Sequence, residues 1–240
     1  MLKEQILPIL MRGKWFSALP DQLQQFLVDQ GTLKTLSAGQ RLFSRGDAAD
    51  GIFGVINGTI QIAGASKAGS EDKQAILTLI DPPDWFGEIC LFDNAPRTHV
   101  ALDDSQASVL HVRQAAFDQY LLENPHHWKD IGLLLTQKIR LMFFAMEDIA
   151  LLPTPMRLVR RLVQMAEGYG IRSRNSGMVC MRTLHVSQEK LSAILAISRQ
   201  TTNQILKQLE GEGLLQLHRG TIEIVDYEGL KKRAIIDSGA

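Results

Sequence analysis

Two groups of residues in this chain carry side chains suited to recognition chemistry. The first is Ser198-Arg199-Gln200-Thr201 with Gln204 one helical turn further on. An arginine fork can pair bidentately with guanine O6 and N7, and a glutamine amide with adenine N6 and N7. The second is Phe86-Gly87-Glu88-Ile89, followed by Arg97-Thr98. Gly87 permits close backbone approach, and amides in a short turn at Gly87 and Ile89 can hold an anion. Arg97 offers a forked cation for phosphate and Thr98 a hydroxyl. Glu88 is an acceptor suited to a ribose hydroxyl or to orienting Arg97. Together these residues make a nucleotide phosphate-sugar site. An Arg97–Glu88 salt bridge that only ties the surrounding structure together is an equally open reading.

The first group needs a helix to aim it. Ser187 can cap a helix with Leu191, Ile194 and Leu195 inward, and Ser198 a second with Ile205, Leu206 and Leu209 inward, across an Ala196-Ile197 turn. Two short capped helices joined in this way form a helix-turn-helix, whose second helix enters the major groove by its N-terminal residues. Arg199, Gln200 and Gln204 avoid the apolar stripe and face outward, while Ser187, Gln188, Thr201 and Lys207 are candidate phosphate partners. The Ser198-capped N-terminus adds backbone donors. Beyond Gly213, runs at 214–217 and 221–225 flank His218-Arg219-Gly220. That is a β-hairpin wing with Arg219 at its tip, within phosphate reach. The competing reading is an ordinary helical hairpin with a solvated polar face.

The second group lies in a region of different texture. Residues 1–30 read as helical, but from Gly31 to Val112 short apolar runs alternate with turn signals, which indicates a β sandwich, barrel or roll. Asn57-Gly58 between two β-rich runs predicts a type I′ hairpin. The polar stretch 65–74 reads as an exposed loop.

After Asn124-Pro125 a single helical segment runs to Leu152, with Trp128, Leu135, Met142 and Ile149 spaced by seven. Ile131 and Ala145 fall on the same seam, and Lys138 interrupts it. Such spacing predicts a two-stranded coiled-coil dimer interface, with Leu141, Phe143 and Phe144 packing on the β domain. The alternative is a helix buried wholly against its own β domain. Pro153-Thr154-Pro155 breaks the helix and predicts a hinge. The expected organisation is α+β: a β-roll at 1–125, a dimerisation helix at 126–152 and a winged helix-turn-helix at 153–240.

Bulk properties bound the function. The net charge is zero, yet residues 1–150 hold 13 Lys/Arg against 18 Asp/Glu, and residues 151–240 hold 13 against 8. An acidic front and a basic back suit a regulatory domain joined to one that binds a polyanion. No apolar run is long enough to span a membrane and the N-terminus lacks a signal-peptide pattern, so the expected location is the cytoplasm. Cys90 and Cys180 stand alone, which predicts reduced, largely buried thiols and neither a disulfide nor a zinc site. A cupin-type metalloenzyme needs clustered histidines in its strands, but His99 and His111 are isolated. A dimeric nucleotide-binding module without DNA work would leave 187–225 unexplained. The expectation is a regulator that is no enzyme.

In combination, Gly46-Asp47…Gly51, Asn57-Gly58, Phe86-Gly87-Glu88…Leu91…Pro96-Arg97-Thr98 and Ser198-Arg199-Gln200-Thr201…Leu209-Glu210 give a chain that resembles the catabolite activator protein/fumarate-nitrate-reduction (CRP/FNR) family of transcription regulators. The resemblance implies a homodimer with a cyclic-nucleotide-binding-like β-roll, a pseudo-palindromic double-stranded DNA site and RNA polymerase as a partner. It sets Glu88, Arg97 and Thr98 at positions that hold ribose and phosphate, and Arg199, Gln200 and Gln204 at positions that read bases. The effector it implies is a cyclic nucleotide, cAMP or cGMP. Cyclic-AMP-responsive members carry a hydroxyl pair midway along the long helix. Met142 and Phe143 stand there instead, which argues against cAMP. Gln200 and Gln204 replace the activator's base-reading Glu and Arg, so its operator does not carry over. The iron-sulfur members' N-terminal cysteine cluster is absent.

Overall fold

The run Gly51–Asn57 presents six residues without a polar side chain, and all six are buried. A strand covered on one face alternates, so this one must be covered on both. The computed structural model, which describes residues 3–65, 74–170 and 180–235, supplies both covers. The chain divides into two units, one running to Ile139 and the other beginning at Arg140.

In the first unit, helices α1 (Lys3–Leu10), α2 (Lys14–Ser17) and α3 (Asp21–Gln30) precede strands β1 (Thr32–Thr35), β2 (Arg41–Phe43), β3 (Gly51–Asn57), β4 (Ile60–Ala65), β5 (Gln74–Ile80) and β6 (Trp85–Phe86). Helix α4 (Ile89–Asp93) follows, then β7 (Val100–Asp103), β8 (Ser108–Arg113), α5 (Gln114–Glu123) and the start of α6 (Trp128–Leu151). One antiparallel sheet has the order β1-β8-β3-β6 and the other β2-β7-β4-β5. Leu36, Phe53, Val55, Phe86 and Val109 from the first sheet side meet Ile60, Ile80 and Ala101 between them. The outer face of the first sheet, with Ile52, Ile56, Trp85 and Leu110, is covered by Phe16, Leu23, Leu27, Phe117 and Leu121 from the helices. Trp85 stacks on Phe16 and meets Trp15 edge-on at centroid distances of 6.0 and 5.6 Å.

This topology corrects the expected hairpin at Asn57-Gly58. Strand β3 pairs with β6 and β8, while β4 pairs with β5 and β7, so the dipeptide turns a corner between two sheets. Only Gly58 takes a positive φ, +73°, where a Cβ would lie 2.6 Å from Ala107 Cα. Both edges of β3 are already taken, which leaves β4 no place beside it. All but the two ends of the stretch 65–74 lie outside the described residues.

Helix α6 corrects two more expectations. Ile131, assigned to the dimer seam, is fully buried in its own chain beside Leu121 and Leu134. Phe143 and Phe144, expected to pack on the β domain, are 65% and 57% exposed. A period of seven identifies a stripe but not which of two apolar faces turns inward. Trp128 tilts against Phe92 at 5.3 Å, Leu135 and Ala145 are half-buried, and Met142 and Ile149 are exposed. No helix among the described residues is long and apolar enough to cross a membrane.

In the second unit, the end of α6 breaks at Pro153 as the missing backbone donor dictates. Helix α7 (Thr154–Ala166) follows, and Arg160 on it donates to Asp148 of α6 at 2.6 Å, spanning the break. Then come β9 (Thr183–Leu184), α8 (Gln188–Leu195), α9 (Arg199–Gly211), β10 (Leu215–His218), β11 (Thr221–Ile224) and α10 (Tyr227–Ile235). Strands β10 and β11 form the expected wing hairpin, and β9 adds a third strand. Cys180 is half-buried, not largely buried as expected, because it precedes β9 at the edge of this sheet; Cys90 is buried.

Candidate effector pocket and nucleic-acid interface

In the first unit, β6 delivers the chain into Gly87, whose φ is +93°. A Cβ there would lie 2.8 Å from Arg97 Nη1 and 3.1 Å from Gly51 O, so only glycine lets the arginine close against the backbone. Arg97 is 3% exposed. Its Nη2 donates to Asp50 Oδ1 and Gly51 O, each at 2.5 Å, and its Nη1 donates to Gly87 O at 3.0 Å. The guanidinium lies over Phe43, 4.5 Å from the ring centroid. Its Nε is buried without a partner among the described residues. Thr98 is exposed, its hydroxyl 2.8 Å from His99 Nδ1, and Ile89 is exposed at the start of α4.

The Arg97–Glu88 salt bridge, the alternative reading of these residues, does not form. Glu88, 2% exposed, instead accepts from Lys138 Nζ of α6 at 2.8 Å. Lys138 also donates to Trp85 O. Asp50 and Lys138 are the two site residues that sequence reasoning missed. Each lies about fifty positions from its partner, and the one signal was that Lys138 interrupts an otherwise apolar seam.

Burial sets the electrostatics around these pairs. Desolvation pushes the Asp84 carboxyl up to about 6, with Lys138 drawing it part of the way back. Desolvation also lowers His111, whose Nε2 lies 2.9 Å from Asp50 O and whose ring stacks on Phe53 at 4.5 Å. The Cys90 thiol is pushed up by burial. It sits 3.7 Å from Arg97 Nη1 as a weak acceptor. A cyclic phosphodiester fits the chemistry of this donor set: a cation beside a glycine cradle, an exposed hydroxyl and a carboxylate. Both charged members, however, already hold partners within the chain.

In the second unit, Ser187 Oγ accepts from Lys190 N at 3.2 Å and Ser198 Oγ from Thr201 N at 3.0 Å, so both serines cap as their positions dictate. Ala196 takes the left-handed conformation that closes the turn between the helices. Leu191, Leu195, Ile205, Leu206 and Leu209 are buried between them. On the opposite face Arg199, Gln200 and Gln204 are exposed, with Lys207 one turn on. Gln188 and Thr201 are half-buried, the latter's hydroxyl 2.7 Å from Ser198 Oγ. Arg219 and Gly220 form the wing turn between His218 and Thr221, with Gly220 at φ +82°. Glu210 of α9 accepts from Leu217 N at 2.8 Å, tying the helix to the wing.

The comparisons divide the chain as the geometry does. Residues 33–124 match the cyclic nucleotide-binding domain and residues 156–233 the Crp-like helix-turn-helix domain. The chain belongs to the CRP/FNR family. This CRP/FNR protein is a DNA-binding transcription regulator with a cyclic-nucleotide-binding-like domain. It is 25% identical over 197 residues to the CRP-like cAMP-activated global transcriptional regulator of Mycobacterium tuberculosis, covering 82% of this chain and 85% of that one. It is 26% identical over 218 residues to the regulator Cmr from the same species, covering 91% and 79%. Among solved structures, FixK2 of Bradyrhizobium japonicum aligns with a TM-score of 0.71 at 14% identity, covering 84% of this chain and 96% of that one. The c-di-GMP-responsive regulator CLP of Xanthomonas campestris aligns with a TM-score of 0.65 at 21% identity, covering 85% and 98%. At those identities the structures carry the fold alone.

Proposed function

We propose that this CRP/FNR regulator acts in the cytoplasm as a homodimer that reads a pseudo-palindromic operator and answers to a cyclic nucleotide. Arg199, Gln200 and Gln204 read base edges, while Ser187, Gln188, Thr201, Lys207, Arg219 and the Ser198-capped helix end hold phosphates. One observation carries this reading: the three base-reading candidates are exposed on one face of a capped helix and make no hydrogen bond or ion pair among the described residues. A polar face left unengaged beside a fully buried apolar one is arranged for a partner. The exposed Met142 and Ile149, with the half-buried Leu135 and Ala145 and with Trp128, form the seam of the dimer. Two copies so joined bring their recognition helices to half-sites one helical turn apart. RNA polymerase is the partner at the promoter, and the protein has no catalytic activity of its own.

For the effector, Arg97 would meet the cyclic phosphate with Thr98 and the backbone at Gly87 and Ile89, and Glu88 would take a sugar hydroxyl. Met142 and Phe143 offer no hydroxyl to an adenine, so the base side favours cAMP no more than cGMP.

The deciding measurement is fluorescence anisotropy on an operator selected from a random duplex pool. Arg199→Ala should weaken specific binding by about 1–3 kcal/mol and leave nonspecific binding nearly unchanged. Equal affinity of the variant and the parent for the selected site would refute the recognition-helix assignment.

A further inference from the structure

A cleft of about 310 Å³ opens in the second unit where the end of α6 meets α7 and α10. None of its lining residues belongs to the base-reading, phosphate-holding or dimer-seam sets proposed above. Its charged lining consists of ion pairs. Asp148 of α6 accepts from Arg160 of α7 at 2.6 Å and from Gln164 at 3.5 Å. Glu167, at the end of α7, meets Lys231 of α10 at 3.4 Å and accepts from the Tyr227 hydroxyl at 2.5 Å. Val163 supplies a buried apolar wall, and Phe144 brings a ring that is 57% exposed. Phe144 stands two positions past Met142, roughly 200° further round the helix, so the dimer seam does not account for it.

The charge balance selects what fits. Among the described residues, two cations and two carboxylates line the cleft, and each already has a partner of the opposite sign. An entering anion would draw Arg160 or Lys231 away and strand a carboxylate. Asp148 is only 9% exposed, and a buried charge left unpaired is strongly destabilising. An entering cation would strand Arg160 or Lys231 in the same way. A zwitterion strands nothing, because its carboxylate joins a cation while its ammonium joins a carboxylate. The volume sits at the lower end of the range for ligand pockets and takes roughly a dozen heavy atoms. The ring of Phe144 beside Val163 adds an apolar side chain to the requirement. We propose that this cleft is a binding site for a free α-amino acid with an aromatic or branched apolar side chain. The carboxylate meets Arg160 and Lys231, the ammonium meets Asp148 and Glu167, and the side chain lies between Phe144 and Val163. Such a ligand joins α6, α7 and α10 across the break at Pro153 and fixes the joint there. It gives the DNA-binding unit an input of its own, since no residue of the cleft lies in the first unit.

The test is calorimetric titration of the full-length protein with L-phenylalanine, with L-leucine and with two half-ligands. N-acetyl-L-phenylalanine lacks the ammonium, and L-phenylalaninamide lacks the carboxylate. At least one of the two amino acids should bind with a dissociation constant of about 1 mM or below. For L-phenylalanine, each half-ligand should bind at least about tenfold more weakly than the whole, because it leaves one charge of the cleft unpaired. Phe144→Ala and Lys231→Met change exposed side chains, and each should weaken amino-acid binding at least about tenfold. Circular dichroism checks that both variants keep the fold. The thermal midpoint of the parent should rise on adding the amino acid, and that of Phe144→Ala should not. No binding of either amino acid at about 10 mM would overturn the proposal. So would a half-ligand that binds as tightly as L-phenylalanine, or amino-acid binding that neither variant weakens.

Discussion

At the scale of single residues, Asp84 makes the sharpest prediction. Its carboxyl is pushed up to about 6 by desolvation, while it accepts a hydrogen bond from the Trp85 amide at 2.7 Å. A carboxyl raised in the folded state keeps a proton that the unfolded chain has released. Its contribution to stability is therefore present on the acid side and falls as pH rises from about 4 to about 6. The ceiling for that loss is roughly 3 kcal/mol. Asp84→Asn keeps the acceptor and removes the titration, so urea unfolding between pH 4 and 7 should show the variant gaining on the parent as pH rises. A constant difference across that range would rule out the buried carboxyl as its source. His111 works in the opposite sense, since burial lowers it: its contribution is full above its ordinary value of 6.5 and is lost as pH falls. It is common to both proteins and cancels in the comparison. At this scale the sequence was legible where chemistry is local. Ser187 and Ser198 stand beside the amides they cap, whereas Asp50 and Lys138 meet Arg97 and Glu88 only after the chain has folded back.

At the scale of elements, α9 depends on its cap. Ser198→Ala should cost about 1 kcal/mol and Ser198→Gly only a few tenths, measured by urea unfolding. An alanine variant as stable as the serine parent would mean that the hydroxyl contributes nothing. The helix-turn-helix and wing were readable as elements because caps, the apolar stripe and the Arg219-Gly220 turn each print their geometry within a few residues. The sheets were less so. The short apolar runs announced strands, yet pairing is decided by non-local register, and Asn57-Gly58 announced a hairpin where the chain crosses between sheets. Strand β7 was missed as a run of its own, since Val100–Asp103 offers four residues with no turn signal before them. Helix α6 was found in full, but its faces were confused: Ile131 belongs to the chain's own core and Phe143 and Phe144 to its surface.

At the scale of the whole molecule, the exposed residues of α6 bear on assembly. Met142 and Ile149 are 62% and 68% exposed, and burying side chains of this kind stabilises by about 1.5–3 kcal/mol each. Met142→Asp with Ile149→Asp should therefore raise the dimer dissociation constant roughly a hundredfold or more, read by sedimentation equilibrium. A double variant that remains as tightly dimeric as the parent would move the interface elsewhere. The change of texture from short strands to helices and of charge from acidic to basic marked two parts of the chain, but the division between the units falls inside α6, at Ile139–Arg140, where no sequence signal stands. The candidate pocket within the first unit was only half legible: Glu88, Arg97 and Thr98 stood out in the sequence, while Asp50 and Lys138, which pair with Arg97 and Glu88, did not. The backbone of that pocket also constrains the lineage. At Gly51 a Cβ would lie 2.0 Å from Val112 O, and at Gly87 it would strike Arg97. Descendants of this chain can exchange the side chains of Glu88, Asp50 or Lys138 without moving the main chain, whereas a side chain at either glycine would displace it. Its evolvable vocabulary is written in side chains on a frame that two glycines keep from drifting.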